Sequence, residues 1–198
     1  MRLFIALSLS EKQKNELHRL QQSLKSHLEG VKWVNPEGMH LTLKFLGEVE
    51  PARIAAIVEA MKEASPAVEP FDFSFGGGGA FPSPQKARVI WAGLRGEVGK
   101  VVALASSLEA ALVKKGFPAE TRDFSPHLTL GRLRYPLPGE KINKFMAEMQ
   151  TFSTEHSRAR AMTLYQSRLS RQGATYSIIQ QIKIGRFLEE NAGNEQDD

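Results

Sequence analysis

His40-Leu41-Thr42-Leu43 is repeated without change at His127-Leu128-Thr129-Leu130, 87 residues further along a chain of 198. Leu alternates with His or Thr in both copies, which is the period of a β-strand with one buried face. At about 3.4 Å rise per residue, His and Thr stand about 6.8 Å apart on one face, and the two Leu residues face the core. A single His-x-Thr on a strand carries little information. The second copy changes that, because two imidazoles and two hydroxyls on matching strands are what acid–base chemistry on a phosphate requires. Packing alone explains the Leu residues but not two exposed His/Thr pairs.

The composition, 41% hydrophobic and 24% charged, is that of an ordinary globular protein. The length suffices for a substantial core, in one compact unit or two small lobes. There are no cysteines, which excludes disulfides, thiolate nucleophiles and zinc–thiolate sites and agrees with a reducing cytoplasm. The apolar start, Met1 to Ser10, lacks a following small-residue cleavage site, so it is expected to be a strand and not a signal peptide. No apolar run approaches membrane-spanning length. The formal charge is +4, yet residues 189–198 hold three Glu and two Asp with no Lys or Arg, which leaves a body of +9. Such a body favours an anionic partner such as RNA. The tail is expected to be disordered, with one bilobal domain over residues 1–188.

Arg2 to Leu9 reads as a central strand. Ser10 with Gln13 forms a capping-box pattern, and Leu17, Leu20, Leu24 and Leu28 recur at helical spacing until Gly30. Val31 to Val34 is a short strand, and the turn Asn35-Pro36-Glu37-Gly38 delivers the chain into Met39 to Phe45. Pro51 opens a helix that ends near Ala64. Phe71, Phe73 and Phe75 alternate along a strand and supply an aromatic core face. Gly76 to Gly79 is followed by neither Gly-Lys-Ser/Thr nor a helix, so it reads as a flexible connection and not a phosphate loop. Pro82-Ser83-Pro84 extends that loop towards the border of a cleft. Strand Ala87 to Ala92, helix Glu97 to Lys115 and strand His127 to Leu133 follow, then a short helix from Lys141 to Met149. Two strands, Ala159 to Leu169 and Ala174 to Ile184, flank the turn Ser170-Arg171-Gln172-Gly173. The fold class is α+β: two pseudo-symmetric lobes, each an antiparallel-rich sheet with outer helices, whose His-x-Thr strands face a central cleft.

With an unperturbed pKa of about 6.5, one histidine can act as base while another acts as acid near neutral pH. In-line displacement at phosphorus needs both, and two histidines on opposite walls meet that need without a metal. The Thr42 and Thr129 hydroxyls suit the non-bridging oxygens, where charge builds in the transition state. Arg132 lies five residues after His127, so simple alternation puts it on the opposite face. A bulge near Gly131 would turn it into the cleft, where a bidentate phosphate contact is available.

These motifs resemble the two-histidine phosphoesterase superfamily and, within it, bacterial RNA 2′,3′-cyclic phosphodiesterases, also called 2′-5′ RNA ligases (the LigT family). The residues that carry the likeness are Arg2-Leu3-Phe4-Ile5-Ala6, His40 to Glu48, Phe124 to Arg132, and Ser167-Arg168-Leu169 with Gly173-Ala174-Thr175-Tyr176. The resemblance implies hydrolysis of an RNA 2′,3′-cyclic phosphate end, or of a cyclic nucleotide, to the 2′-phosphomonoester. It also implies a weak reversible 2′-5′ ligation. No cofactor and no membrane are expected, with a cytoplasmic place; the sequence leaves the oligomeric state open, a monomer being favoured. By the same analogy His127 activates water, His40 protonates the departing 3′ oxygen, and Thr42, Thr129 and Arg132 hold the phosphate.

Two other classes compete. A basic cleft can bind RNA phosphates without catalysis. A metal-dependent phosphoesterase is the second, but His40 and His127 offer only two good ligands, and no Asp or Glu beside them has ligand spacing.

Overall fold

The computed structural model describes residues 1–170 and 173–186. In chain order its elements are β1 (Arg2–Ser8), α1 (Glu11–Lys25), β2 (Val31–Trp33), β3 (His40–Glu48), α2 (Ile54–Ala64), β4 (Phe71–Phe81) and β5 (Val89–Gly96). They continue with α3 (Val98–Lys114), β6 (His127–Leu133), α4 (Gly139–Thr151), β7 (Ser157–Ala159), β8 (Ala161–Ser170) and β9 (Gly173–Lys183). Two sheets form, one ordered β3-β1-β8-β9 and the other β2-β6-β5-β4-β7, with antiparallel pairing throughout. Leu3 to Leu7 are all buried, as a strand covered on both faces must be. Among the described residues no helix is long and apolar enough to cross a membrane.

The lobes are not the two halves of the chain. α1 leaves β1 of the first sheet and lies on the second, where Gln13 Nε2 donates to Phe73 O at 3.1 Å and Gln21 Nε2 to Leu130 O at 2.9 Å. α3 leaves β5 of the second sheet and packs beside α2 under the first. There Lys44 of β3, 8% exposed, meets Glu109 of α3 at 2.7 Å. Each lobe therefore borrows a helix from the other. Ser10 caps α1 by the expected box, its hydroxyl accepting from Gln13 N.

The glycine run departs from expectation. Gly76 to Gly79 is not a flexible connection but the interior of β4. The physical reason is close packing: a Cβ on Gly78 would stand 2.5 Å from Trp91 O and 2.7 Å from the Met149 side chain. The register slips between Phe75 and Gly78, so the run is a bulged strand. Phe71, Phe73 and Phe75 are fully buried, as expected. Pro51 opens a turn of 3₁₀ helix, and α2 proper begins at Ile54. β7 was not legible because three residues are too few for a period; it borders β4. The β8–β9 hairpin pairs as far as Ser170 with Gly173. Arg171, Gln172 and the acidic tail lie outside the described residues.

Candidate active site

Each motif sits on a strand whose Leu side is packed and whose His side is open. Leu41, Leu43, Leu128 and Leu130 are at most 5% exposed, whereas His40, Thr42, His127 and Thr129 are half-buried. Helices cover the Leu faces, so the His faces of β3 and β6, which are neighbours, border the space between the sheets. Both histidines are fixed in the same way. His40 Nδ1 donates to Gly38 O at 2.7 Å, and His127 Nδ1 donates to Ser125 O at 2.7 Å. A carbonyl only accepts, so the Nδ1 position carries hydrogen and Nε2 is left as the working atom in each ring. The Thr42 and Thr129 hydroxyls have no hydrogen-bond partner among the described residues.

Both strands bulge one residue after the Thr. In β3, Thr42 pairs with Ala6 and Lys44 with Ile5, which leaves Leu43 as the extra residue. In β6, Thr129 pairs with Trp91 and Gly131 with Ile90, which leaves Leu130 extra. A bulge reverses the alternation beyond it. Arg132, paired with Val89 and Lys32, is thereby returned to the His127 face and is exposed. The bulge is anchored: Leu130 O accepts from Val34 N at 3.0 Å as well as from Gln21. The equivalent position on β3 is Phe45, which is 62% exposed. One wall of the cleft thus ends in a cation and the other in an aromatic ring.

Aromatic rings enclose both imidazoles, and the motif spacing did not reveal them. Phe4 stacks on His40 at 4.5 Å between ring centroids, and Tyr176 meets it edge-on at 5.2 Å. Tyr165 stacks on Phe4 at 5.2 Å and bonds Ser8 through its hydroxyl at 2.8 Å. Phe81 and Trp91 stand edge-on to His127 at 4.9 and 6.2 Å. Phe81 directly precedes Pro82-Ser83-Pro84, the loop expected to border the cleft. The consequence for His40 is electrostatic. Burial among the rings lowers its pKa from 6.5 to about 4, against the smaller opposing effect of the Gly38 bond. His40 is therefore neutral at pH 7 in the free protein. Burial likewise raises the Tyr176 hydroxyl, and the charges of Arg132 and Arg2 partly offset the rise. Arg132, from one sheet, therefore acts on a ring that touches His40 on the other. Among the described residues no three His, Asp or Glu side chains are grouped as a metal site.

The fold and the paired motif define a class: a two-lobed α+β protein with one histidine and one threonine presented from each sheet. The family model for LigT-like phosphoesterases matches residues 7–91 and 95–176. The chain belongs to that family and is an enzyme. It is 34% identical over 184 residues to the RNA 2′,3′-cyclic phosphodiesterase of Methanothermobacter thermautotrophicus, covering 93% of this chain and 99% of that one. Identity with the Archaeoglobus fulgidus protein of the same name is 37% over 178 residues, with 89% and 96% covered. Among solved structures, TT0787 of Thermus thermophilus superposes with a TM-score of 0.77 at 25% identity, covering 94% of this chain and all of that one. LigT of E. coli complexed with 3′-AMP has a TM-score of 0.72 at 22% identity, with 93% and 98% covered, and so shares the fold.

Proposed function

We propose that the protein hydrolyses RNA 2′,3′-cyclic phosphate ends to 2′-phosphomonoesters, using His40 and His127 as an acid–base pair. The observation that carries this reading is the matched presentation of the two imidazoles. Each is locked through Nδ1 to the carbonyl two residues before it, with Nε2 free, on strands related by the same bulge. One imidazole takes a proton from water as it attacks phosphorus, and the other gives a proton to the 3′ oxygen as its bond to phosphorus breaks. Thr42 and Thr129 hydrogen-bond the non-bridging oxygens, and Arg132 supplies positive charge at the end of the cleft. The relatives named RNA 2′,3′-cyclic phosphodiesterase support the substrate class. A weak reversible 2′-5′ ligation is the same chemistry with a ribose 5′-hydroxyl in place of water. The site of action is the cytoplasm.

Family resemblance assigns the base to His127 and the acid to His40. One observation favours the reverse. The lowered pKa leaves His40 unprotonated at pH 7, the state a base needs. An acidic role requires the bound phosphate anion to bring that pKa back up. The pH–rate profile decides: His40→Ala removes the alkaline limb if His40 is the acid, and the acidic limb if it is the base. The reading as a whole is tested by product analysis on a short oligonucleotide ending in a 2′,3′-cyclic phosphate. The expected product is the 2′-phosphate, and a product carrying only 3′-phosphate, or no turnover, overturns the proposal.

A further inference from the structure

Lys44 follows Thr42 by two residues on β3, yet it does not join the cleft. The bulge at Leu43 pairs it with Ile5, a fully buried residue of the helix-covered face, and its side chain runs under the sheet to α3. Lys44 is 8% exposed; its ammonium meets Glu109 Oε2 at 2.7 Å and donates to Pro118 O at 3.3 Å. The other Glu109 carboxylate oxygen accepts from Glu120 N at 2.6 Å. One ion pair therefore joins strand β3, helix α3 and the segment that leaves α3.

That segment, residues 118–126, carries the chain from α3 to β6 in the second sheet, and its Ser125 carbonyl is the group that fixes His127. Residues 118–123 are exposed, while Phe124 and Pro126 are partly covered. Among the described residues, the bonds from Lys44 and to Glu109 are the only hydrogen bonds that tie residues 118–126 to an element other than β6. Packing of α3 on β3 does not require charge. A buried ion pair returns little more than its desolvation costs, and apolar side chains of similar volume hold two elements together as well. Apolar side chains have no donor or acceptor to spare for a passing backbone. An ammonium has three hydrogens and a carboxylate two oxygens, so this pair binds itself and the segment at once.

Resting on the acid–base role proposed above for His127, we infer that Lys44 and Glu109 are positioning residues. The pair anchors the near end of the segment whose far end, through Ser125 O, sets the tautomer and direction of the His127 ring. The strand that carries His40 thereby also holds the approach to His127, and two imidazoles from different sheets keep a fixed relation. A displacement of about 1 Å between reacting groups can cost about 10²-fold in rate, so a remote anchor of this kind bears on turnover.

Two double variants separate positioning from packing. Lys44→Met with Glu109→Met keeps the volume and removes both bonds to the segment. Its melting temperature should stay near wild type, while kcat on an oligonucleotide ending in a 2′,3′-cyclic phosphate falls about tenfold or more and KM stays within about twofold. Lys44→Glu with Glu109→Lys exchanges the charges and keeps their attraction. A carboxylate at position 44 cannot donate to Pro118 O, and an ammonium at position 109 cannot accept from Glu120 N, so kcat should stay low. Recovery of kcat in the exchanged pair, or near-wild-type kcat in the Met pair, overturns the positioning role. A Met pair that melts far below wild type overturns it too, since the pair is then a clamp of the fold itself.

Nitrogen NMR of the imidazoles reads the same device without turnover. His127 should hold its hydrogen on Nδ1 in the wild type and mix that form with the Nε2–H form in the Met pair, with His40 unchanged. Identical His127 signals in both proteins refute the positioning role whatever the rates. The expected change in His127 in a protein that hydrolyses no cyclic end would keep the positioning role and refute the proposed reaction.

Discussion

Lowering the pH should weaken this protein through His40, and the size of the effect follows from the rings around it. An unfolded chain protonates His40 near 6.5, whereas the folded protein withholds the proton until about pH 4. The folded pKa is thus below the unfolded one, so the unfolded state binds more protons between those values. Stability is complete above about pH 6.5 and is lost as pH falls towards 4. At 1.36 kcal/mol per pKa unit, the loss from this one group is roughly 3 kcal/mol, a large share of a typical 5–15 kcal/mol. His40→Gln removes the titrating group. Urea unfolding at pH 7, 5.5 and 4.5 should then show a fall in stability between the first and last of these that is smaller in the variant by roughly 2.5 kcal/mol. Other groups titrate alike in both proteins and cancel in the difference. Tyr176→Ser, which opens one side of the imidazole, should move its NMR titration up towards 6.5. Identical pH slopes in wild type and His40→Gln, or a His40 resonance titrating near 6.5 in the wild type, would refute the reasoning.

Gln21→Met keeps the shape but removes the buried amide that donates to Val34 O and Leu130 O; urea unfolding should show a loss of about 2 kcal/mol. Gly38→Ala puts a Cβ 2.9 Å from the Tyr176 ring, beside the carbonyl that fixes His40; turnover should fall about tenfold or more with little change in melting temperature. Turnover should survive EDTA, since the proton transfers are assigned to imidazoles; loss on chelation with recovery on adding a divalent ion contradicts that. Truncation after Leu188 should leave both melting temperature and turnover near wild type.

The two His-x-Thr strands were legible because the sequence writes them twice in the period of a half-buried strand. The α1 cap and the Phe71-Phe73-Phe75 face were legible for similar local reasons. What could not be read were the consequences of long-range packing. The exchange of α1 and α3 between lobes leaves no local signature, and the buried Gln13 and Gln21 amides reach carbonyls as far as 142 and 109 residues away. The glycine run misled because its lack of side chains reads as freedom, while Trp91 and Met149 fill the space. Arg132 turned on a single question, whether the strand bulges near Gly131, and hydrogen-bond register alone answers it. The rings around the histidines come from β1, β4, β5, β8 and β9, so no stretch of sequence shows them together.

A double-mutant cycle on His40 and His127, measured as turnover of an oligonucleotide ending in a 2′,3′-cyclic phosphate, bears most directly on the paired imidazoles. Each group acting alone in acid–base transfer is worth about 10²–10⁴-fold, and groups that act as one unit are strongly non-additive. His40→Ala and His127→Ala should each remove most of the rate, and the double variant should be little slower than either. Thr42→Ala and Thr129→Ala should cost less, since each removes one neutral hydrogen bond. Near-wild-type turnover in either folded histidine variant would show that the duplicated motif is not the catalytic machinery.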